Sequence, residues 1–212
     1  MLSEIAPAIS TSQPGQLNLS ALPELRSLIV ISDEPVAGMF RFENIASKAP
    51  ADAAEQLAAR ALASQPDDAI NIQFTSGTTG LPKGSTLTHF NVLNNGYFTG
   101  QAMRLTEKDC LCIPVPLYHC FGMVLANLLC FSVGACLVIS NKHFDAKKVL
   151  KKIEKKKCTA IHVVPTMFIA DLEHKDFSMF NLNSLRTGIM AGAPCPPKLM
   201  KRVINDMHCN EI

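Results

Sequence analysis

The 212-residue chain lacks several patterns that identify whole classes of protein. Its eight cysteines never form a C-x-x-C pair, and Cys110-x-Cys112 alone is weak evidence for a metal site. Most of the cysteines lie in apolar runs, which predicts buried, reduced thiols and an intracellular compartment. The net charge is only +2, so there is no electrostatic reason to expect a nucleic-acid partner. Internal repeats and low-complexity tracts are also missing.

Targeting signals are sparse as well. No signal peptide is visible. Because the first basic residue is Arg26, the Arg-rich amphipathic pattern of a mitochondrial transit peptide is not visible either.

The longest stretch without an acidic or basic residue runs from Cys110 to Asn141. Within it, residues 120 to 139 are numerous enough to span a bilayer. Gly134 divides this part into a helix-like piece and the β-rich piece 135–139, which is typical of a buried helix followed by a central strand. We therefore expect no transmembrane segment.

What the sequence does contain is a phosphate-binding composition between Thr75 and Gly84, with three glycines, four hydroxyl side chains and Lys83. Glycines let backbone N–H groups approach an anion, hydroxyls add donors, and lysine adds charge. The stretch is not a P-loop, G-x-x-x-x-G-K-S/T, because Pro82 stands where the second glycine belongs. Residues 85–88 alternate as in a short strand, whereas a helix follows a P-loop.

A second candidate loop, Pro116–Gly122, places Tyr118 and His119 just after a predicted strand. Taken alone, such a histidine is either a site residue or a structural residue at a helix start. Nothing nearby suggests a partner that would make it a base, so we expect a positioning role.

A third loop, residues 190–196, joins a predicted strand to a predicted helix. Its small residues would let a flat ring lie against the backbone, or they form an ordinary turn. No His or Asp pattern accompanies Cys195, so we interpret that residue as a spacer and not a nucleophile.

Strands and helices alternate along most of the chain. Strands are predicted at 28–31, 70–74, 85–88, 111–113, 135–140, 158–164 and 185–190. Helices are predicted at 50–65, 89–103, 118–131, from 145 onward, at 166–173 and at 196–207. This order predicts an α/β fold with mostly parallel sheets and flanking helices, whose ligands bind beyond the carboxyl ends of the strands.

Periodicity also predicts which side chains are buried and which residues cap the helices. The expected buried sets are Ile70, Ile72 and Phe74 in a half-buried strand, Phe90, Leu93, Tyr97, Gly100 and Met103 in one helix, and Val149, Leu150 and Ile153 in another. The expected N-caps are Asp52, Thr88 and Asp145.

Residues Phe74–Asn91, FTSGTTGLPKGSTLTHFN, resemble the signature loop of the adenylate-forming enzymes, which include acyl-CoA synthetases, luciferase and peptide-synthetase adenylation domains. The loops PLYHC and AGAPCPP are most similar to those of mitochondrial medium-chain acyl-CoA ligases. The resemblance implies that the first loop holds the ATP phosphates through Thr75, Ser76, Gly77, Thr78, Thr79, Gly80, Leu81, Pro82 and Lys83. It implies that Tyr118 and His119 contact substrate, and that Gly192, Ala193 and Pro194 pack on adenine and the acyl group.

The resemblance further implies that the chain is a piece of a longer enzyme, with an irregular lead-in at 1–26 and a partial N-terminal AMP-binding domain at 27–212. The C-terminal lid domain, the catalytic lysine and the Y-G-x-T-E motif would lie outside the chain, so no catalytic residue or metal ligand is assigned within it. The implied activity uses ATP, Mg²⁺ and CoA to convert a fatty acid to acyl-CoA in the mitochondrial matrix, with the cytoplasm as the alternative. The alternative function is a non-catalytic short form that acts as a regulatory or interaction module.

Overall fold

A computed structural model describes residues 2–75 and 80–212. The chain divides into two compact units, with the boundary between Ser64 and Gln65. The expected division at residue 26 stays a prediction.

The first unit is built mostly from short elements. These are helix α1 (Leu2–Ile5), the parallel strands β1 (Ile29–Val30) and β2 (Phe40–Arg41), helix α2 (Ala53–Ala63), and 3-10 turns at Pro7–Thr11, Phe42–Asn44 and Ala46–Lys48. Its small core centres on Ala6, Ile9 and Leu19.

Two predictions for this unit were wrong in part. The strand expected at 28–31 is only two residues long, and Ile31 is 85% exposed instead of buried. Asp52 occupies the N-cap position of α2 but makes no capping hydrogen bond; its carboxylate instead accepts one from Gln56 Nε2. The helix itself forms as predicted.

The second unit begins with an antiparallel hairpin of β3 (Ala69–Thr75) and β4 (Lys83–Thr88), followed by helix α3 (His89–Ala102). The Thr88 hydroxyl accepts a hydrogen bond from the Asn91 N–H, while the Asn91 side chain accepts one from the Thr88 N–H. This capping box confirms the predicted start of α3 and explains why the chain turns directly from strand to helix.

The remaining strands form one parallel sheet in the order β6-β5-β7-β8, which confirms the predicted α/β class. They are β5 (Cys110–Ile113), β6 (Cys136–Ile139), β7 (Ala160–Val163) and β8 (Thr187–Met190). The connecting helices are α4 (Cys120–Gly122), a π-helical turn (Met123–Leu128), α5 (Leu129–Val133), α6 (Ala146–Lys156), α7 (Pro165–Leu172) and α8 (Pro197–Met207), with a 3-10 turn at Phe177–Met179.

The parallel sheet is covered on both faces. In β5, Cys112 points into a core with α6, α7 and α8, while Leu111 and Ile113 point into a core with the helical segment 120–133. Two buried faces explain why these strands are apolar runs without alternation. On α6, Val149, Leu150 and Ile153 face the core, as predicted.

The stretch without acidic or basic residues, 110–141, contains a helix and then a strand on either side of Gly134, as predicted. Helix α5 ends at Gly134, which adopts a positive φ of 75°, and β6 follows. No helix in the described part of the chain is long and apolar enough to cross a membrane.

The buried face of β3 was predicted wrongly, and that of α3 was right only at Gly100 and Met103. Ile72 and Phe74 are 59% and 73% exposed, while Asn71 and Gln73 are half-buried. The buried positions of α3 are Val92, Gly96, Gly100 and, just after the helix, Met103, whereas Phe90, Leu93 and Tyr97 are exposed.

The side of α3 that is buried is determined by the close approach of α3 to the helical segment 120–133. A Cβ at Gly96 would lie 3.1 Å from the Leu129 nitrogen and 3.2 Å from the Val124 oxygen. Backbone packs against backbone here, so the glycine side of α3 faces inward and its aromatic side does not.

Candidate functional site

The stretch predicted to bind phosphate, residues 75–84, begins at the last residue of β3 and ends in β4, the two strands of the hairpin. Thr75 and Lys83 are the last described pair before the tip, and both are exposed. Beyond them, Gly80 adopts a φ of +149° and Leu81 is 90% exposed. The chain thus continues into a strand, as predicted, and not into the helix of a P-loop. The predicted site residues Ser76, Gly77, Thr78 and Thr79 lie outside the described residues.

The His119 loop follows the carboxyl end of β5. His119 caps helix α4, because its Nδ1 accepts a hydrogen bond of 3.1 Å from the Phe121 backbone N–H. A ring nitrogen that accepts from an N–H carries no proton, so a neutral His119 has its proton on Nε2. The side chain is exposed, and Nε2 is a donor for a ligand.

Gly122 fixes the shape of this loop. A Cβ there would overlap the Pro116 carbonyl oxygen and lie 2.9 Å from Leu117 Cα. The loop therefore folds back tightly over the start of the helical segment, which holds His119 in place.

The structure brings the first two predicted loops together. A cavity of about 620 Å³ is lined by Thr75 at the end of β3 and by Tyr118 and His119. Ile72, Gln73, Phe74 and Cys120 complete its described wall. A hydroxyl beside the hairpin tip and the His119 loop thus face the same space.

The third loop follows β8 at the carboxyl edge of the same sheet. Gly192 adopts a φ of +83°, which side chains rarely tolerate, and a Cβ there would lie 3.2 Å from Val164 Cγ1. Gly192, Ala193 and Pro194 are exposed. They do not belong to the described lining of the cavity beside Thr75, and two strand spacings, roughly 10 Å, separate β8 from β5.

Cys195 stabilises this turn. Its thiol donates hydrogen bonds to the carbonyl oxygens of Met190, at 3.1 Å, and Ala193, at 3.5 Å. These contacts fit the predicted spacer role.

Sequence reasoning missed one residue that supports the site, His162 on β7. Its ring is fully buried and stacks on Phe121, whose N–H binds His119. Burial lowers the pKa of His162 to about 3, so the ring is neutral at physiological pH. The sequence did contain a signal for His162, because all the other residues of its strand, β7, are apolar.

A second cavity, of about 820 Å³, lies between α3 and the edge of β8. Its described lining includes Phe90, Asn94 and Phe98 of α3 together with Thr187 and Ile189 of β8. The aromatic side of α3 was predicted to be core, so this cavity was also missed.

Comparison with known proteins identifies the family of the chain. Residues 8–212 match the AMP-binding enzyme family. The chain belongs to that family. The matched residues include all three loops on which the resemblance was based.

Relatives of this chain include acyl-CoA ligases. YngI of Bacillus subtilis (strain 168) is 47% identical, and the match covers all of this chain and 38% of YngI. The mitochondrial medium-chain acyl-CoA ligase ACSF2 of Danio rerio is 40% identical, with all of this chain and 35% of ACSF2 covered. The chain thus spans little more than a third of these relatives.

Solved structures show the same architecture. The anthranilate CoA ligase AuaEII in complex with anthranoyl-AMP matches 89% of this chain and 36% of its own, with a TM-score of 0.74 and 27% identity. The O-succinylbenzoate CoA synthetase MenE from Bacillus subtilis, in complex with AMP, matches 67% of this chain and 28% of its own, with a TM-score of 0.56 and 29% identity.

Proposed function

We propose that this chain contributes the phosphate-binding part of an AMP-forming ligase that converts a fatty acid to an acyl-adenylate and then to acyl-CoA. The observation that carries the proposal is the shared cavity of Thr75, Tyr118 and His119. One wall of this cavity leads to the hairpin tip, and the other presents a histidine donor. Such a cavity suits an anionic nucleotide beside a second substrate.

In this proposal ATP supplies the phosphorus atom at which the fatty acid is activated. The hairpin tip, including Ser76 to Thr79, would bind the phosphates, with Lys83 supplying positive charge at its base. Lys83 suits this role because it is exposed at the start of β4, where its ammonium can reach an anion without a burial cost.

His119 would position the substrate instead of acting as a base. Its Nδ1 is occupied by the Phe121 N–H, so only Nε2 remains for substrate. Tyr118, which is 89% exposed, adds an aromatic surface beside it for the acyl or pantetheine group. Gly192, Ala193 and Pro194 would lie against the adenine, since a backbone without bulky side chains admits a flat ring closely.

We assign no Mg²⁺ ligand to this chain. Within residues 2–75 and 80–212, no group of three or more His, Cys, Asp or Glu side chains is placed to hold a metal ion. The proposed use of Mg²⁺ rests on the resemblance.

Binding of ATP to the 212-residue chain tests the role of the hairpin tip. We would compare the wild type with Lys83→Ala and with Lys151→Ala, which removes an exposed lysine from α6, by calorimetry. Loss of one charge-assisted hydrogen bond should weaken binding by roughly tenfold in Lys83→Ala. Lys151→Ala should bind like the wild type. Equal affinity of the two variants would overturn the assignment of Lys83.

The whole reaction needs the native polypeptide. We would isolate it from cells with an antibody against the 147–157 segment, determine its mass, and measure ATP–pyrophosphate exchange with fatty acids of increasing length. Exchange that depends on fatty acid is expected, carried by a polypeptide much heavier than 23.0 kDa. If the rate of ATP–pyrophosphate exchange did not depend on the fatty acid, the proposed substrate class would be wrong.

For location, we propose the mitochondrial matrix, with the cytoplasm as the alternative. The support is the mitochondrial designation of the ACSF2 relatives, while the YngI relative is bacterial. Cell fractionation with the same antibody distinguishes the two compartments.

A second candidate is an interaction module without catalysis. The exposed apolar side of β3, with Ile72 and Phe74, favours it, because such a surface is costly to leave in water. A native product of 23.0 kDa that co-purifies with one reproducible protein and shows no exchange activity would support this candidate over the ligase.

A further inference from the structure

Three cysteines meet where the parallel sheet begins. Cys110 opens β5, and Cys136 opens β6 directly opposite it in the strand register. Cys158 precedes β7, and its Sγ lies 3.7 Å from Cys110 Sγ. All three are free thiols. Cys110 is thus flanked by a thiol on each side.

The strand register gives Cys110 and Cys136 a separation that a disulfide can bridge. Paired residues in neighbouring strands lie about 4.8 Å apart and point to the same face of the sheet. Disulfides join Cα atoms that are roughly 4.4–6.8 Å apart. The backbone therefore need not move far for these two sulfurs to bond.

Exposure differs sharply among the three thiols. Cys136 is exposed, Cys110 is half-buried, and Cys158 is fully buried. A soluble oxidant can reach Cys136 first, while Cys110 lies just behind it. An exposed thiol next to a resolving thiol is the arrangement of redox-sensing cysteines.

The raised pKa of the Cys110 thiol indicates that Cys110 is not the first of the two cysteines to be oxidised. Burial raises the pKa of the Cys110 thiol, and the neighbouring Cys158 and Cys136 thiols raise it further. Cys110 is therefore a poor first target for oxidation, because the thiolate is the reactive form. It can still attack the sulfur of Cys136, its partner in the strand register, once that sulfur is oxidised.

We propose that Cys136 and Cys110 form a reversible redox pair that takes hydroperoxides as oxidant. The Cys136 thiol gives its proton to water, and the thiolate attacks one oxygen of the peroxide. The O–O bond breaks, the released hydroxide or alkoxide takes a proton from water, and Cys136 becomes a sulfenic acid while water or an alcohol leaves. Cys110 then attacks the Cys136 sulfur, an S–S bond forms, and the hydroxyl leaves with the Cys110 proton as water. The two thiols together lose two electrons, and a small thiol reductant restores them by exchange.

Mass spectrometry of tryptic peptides can locate the cross-link, because trypsin cuts only after Lys or Arg and neither occurs in residues 110–141. Trypsin leaves Cys110 and Cys136 in one peptide, residues 109–142, since no Lys or Arg lies between them. Cys158 falls in a separate peptide, 158–175. A bond between any two of the five cysteines in the first peptide, Cys110–Cys136 included, makes that peptide lighter by two hydrogens, and chymotryptic cleavage between the cysteines shows which two are joined. A Cys110–Cys158 bond instead joins the two tryptic peptides.

The full 212-residue chain would be treated with hydrogen peroxide, alkylated, and digested with trypsin and then chymotrypsin. We expect the bond between Cys110 and Cys136, its loss on adding dithiothreitol, and its absence in Cys136→Ser and Cys110→Ser. Cys136 is exposed, so Cys136→Ser should fold even if Cys110→Ser does not. Cys195→Ser, which removes a thiol from another loop, should still form the bond.

Three results would overturn the proposal. One is oxidation of Cys136 to sulfinic or sulfonic acid without a cross-link. Another is a bond between Cys110 and Cys158 in place of the expected one. The third is an unchanged cross-link in Cys136→Ser.

Discussion

Arg186, in the turn before β8, donates a hydrogen bond of 2.9 Å from Nη2 to Oδ2 of Asp109, which directly precedes β5. The two residues are 77 positions apart. Asp109 also accepts from the Thr159 hydroxyl at 2.7 Å and from the Thr106 N–H at 2.9 Å. Arg186 in turn donates to the Arg104 carbonyl at 2.8 Å. The pair thus ties together the starts of three neighbouring strands.

Asp109→Ala should destabilise the chain by about 1–3 kcal/mol, because Arg186 loses its closer carboxylate partner and keeps only Glu211, whose Oε2 lies 3.4 Å from Nη1. Burial alone would raise the pKa of Asp109, but hydrogen bonds from Arg186, Thr159 and Thr106 lower it below its ordinary value. This contribution is therefore fully present above the ordinary carboxyl range and is lost as the pH falls through the lowered pKa. Urea unfolding checks both statements. The exposed Asp67→Ala is the control and should leave stability nearly unchanged.

Asp171→Asn should make the chain more stable at pH 8 and less sensitive to pH. Asp171 is fully buried in α7, and neither carboxylate oxygen has a hydrogen-bond partner among the described residues. Burial raises its pKa to about 8, so the folded chain holds a proton that the unfolded chain releases. The free energy of unfolding should then fall by roughly 1 kcal/mol per pH unit between about pH 4 and pH 8.

Urea unfolding at pH 5 and pH 8 measures this effect. The wild type should lose stability between the two, and Asp171→Asn should lose much less. Asp206→Asn, at an exposed position of α8, should behave like the wild type. Equal pH dependence in all three proteins would contradict a protonated Asp171.

Gly122→Ala should disturb the His119 loop. The new methyl group would overlap the Pro116 carbonyl oxygen and lie 2.7 Å from its carbon, so the loop must move. Overpacking of this kind costs about 1–3 kcal/mol. The midpoint of urea unfolding measures the cost, and the NMR shift of the Phe121 amide reports whether its bond to His119 survives. In Gly84→Ala the nearest contact is the movable Ile72 Cγ2 at 3.1 Å, so both readouts should change less.

Thr88→Ala should cost about 1 kcal/mol, because it removes the acceptor for the Asn91 N–H at the start of α3. Thr88→Ser keeps the hydroxyl and should retain most of the stability. Urea unfolding of the three proteins separates a capping effect from a packing effect, since a serine that fails to rescue would point to the lost methyl group.

The sequence by itself determined the order of the main helices and strands from about residue 50 onward, and several of the places where they begin or end. The strand after the hairpin tip, the end of α5 at Gly134, and the inward side of α6 were all predicted correctly. Each depends on local properties: alternation, a residue that tolerates positive φ, and a spacing of about 3.6 residues. The α/β class followed from the same local order.

Only the tertiary structure decided which sides of β3 and α3 are buried. Burial depends on what lies across an element, and for α3 this is the helical segment 120–133, which approaches closely at Gly96 and Gly100. The same holds for Asp109 with Arg186 and for Thr75 with His119. The residues of each pair are distant along the chain, and no local sequence pattern predicts which of them will be in contact once the strands have paired.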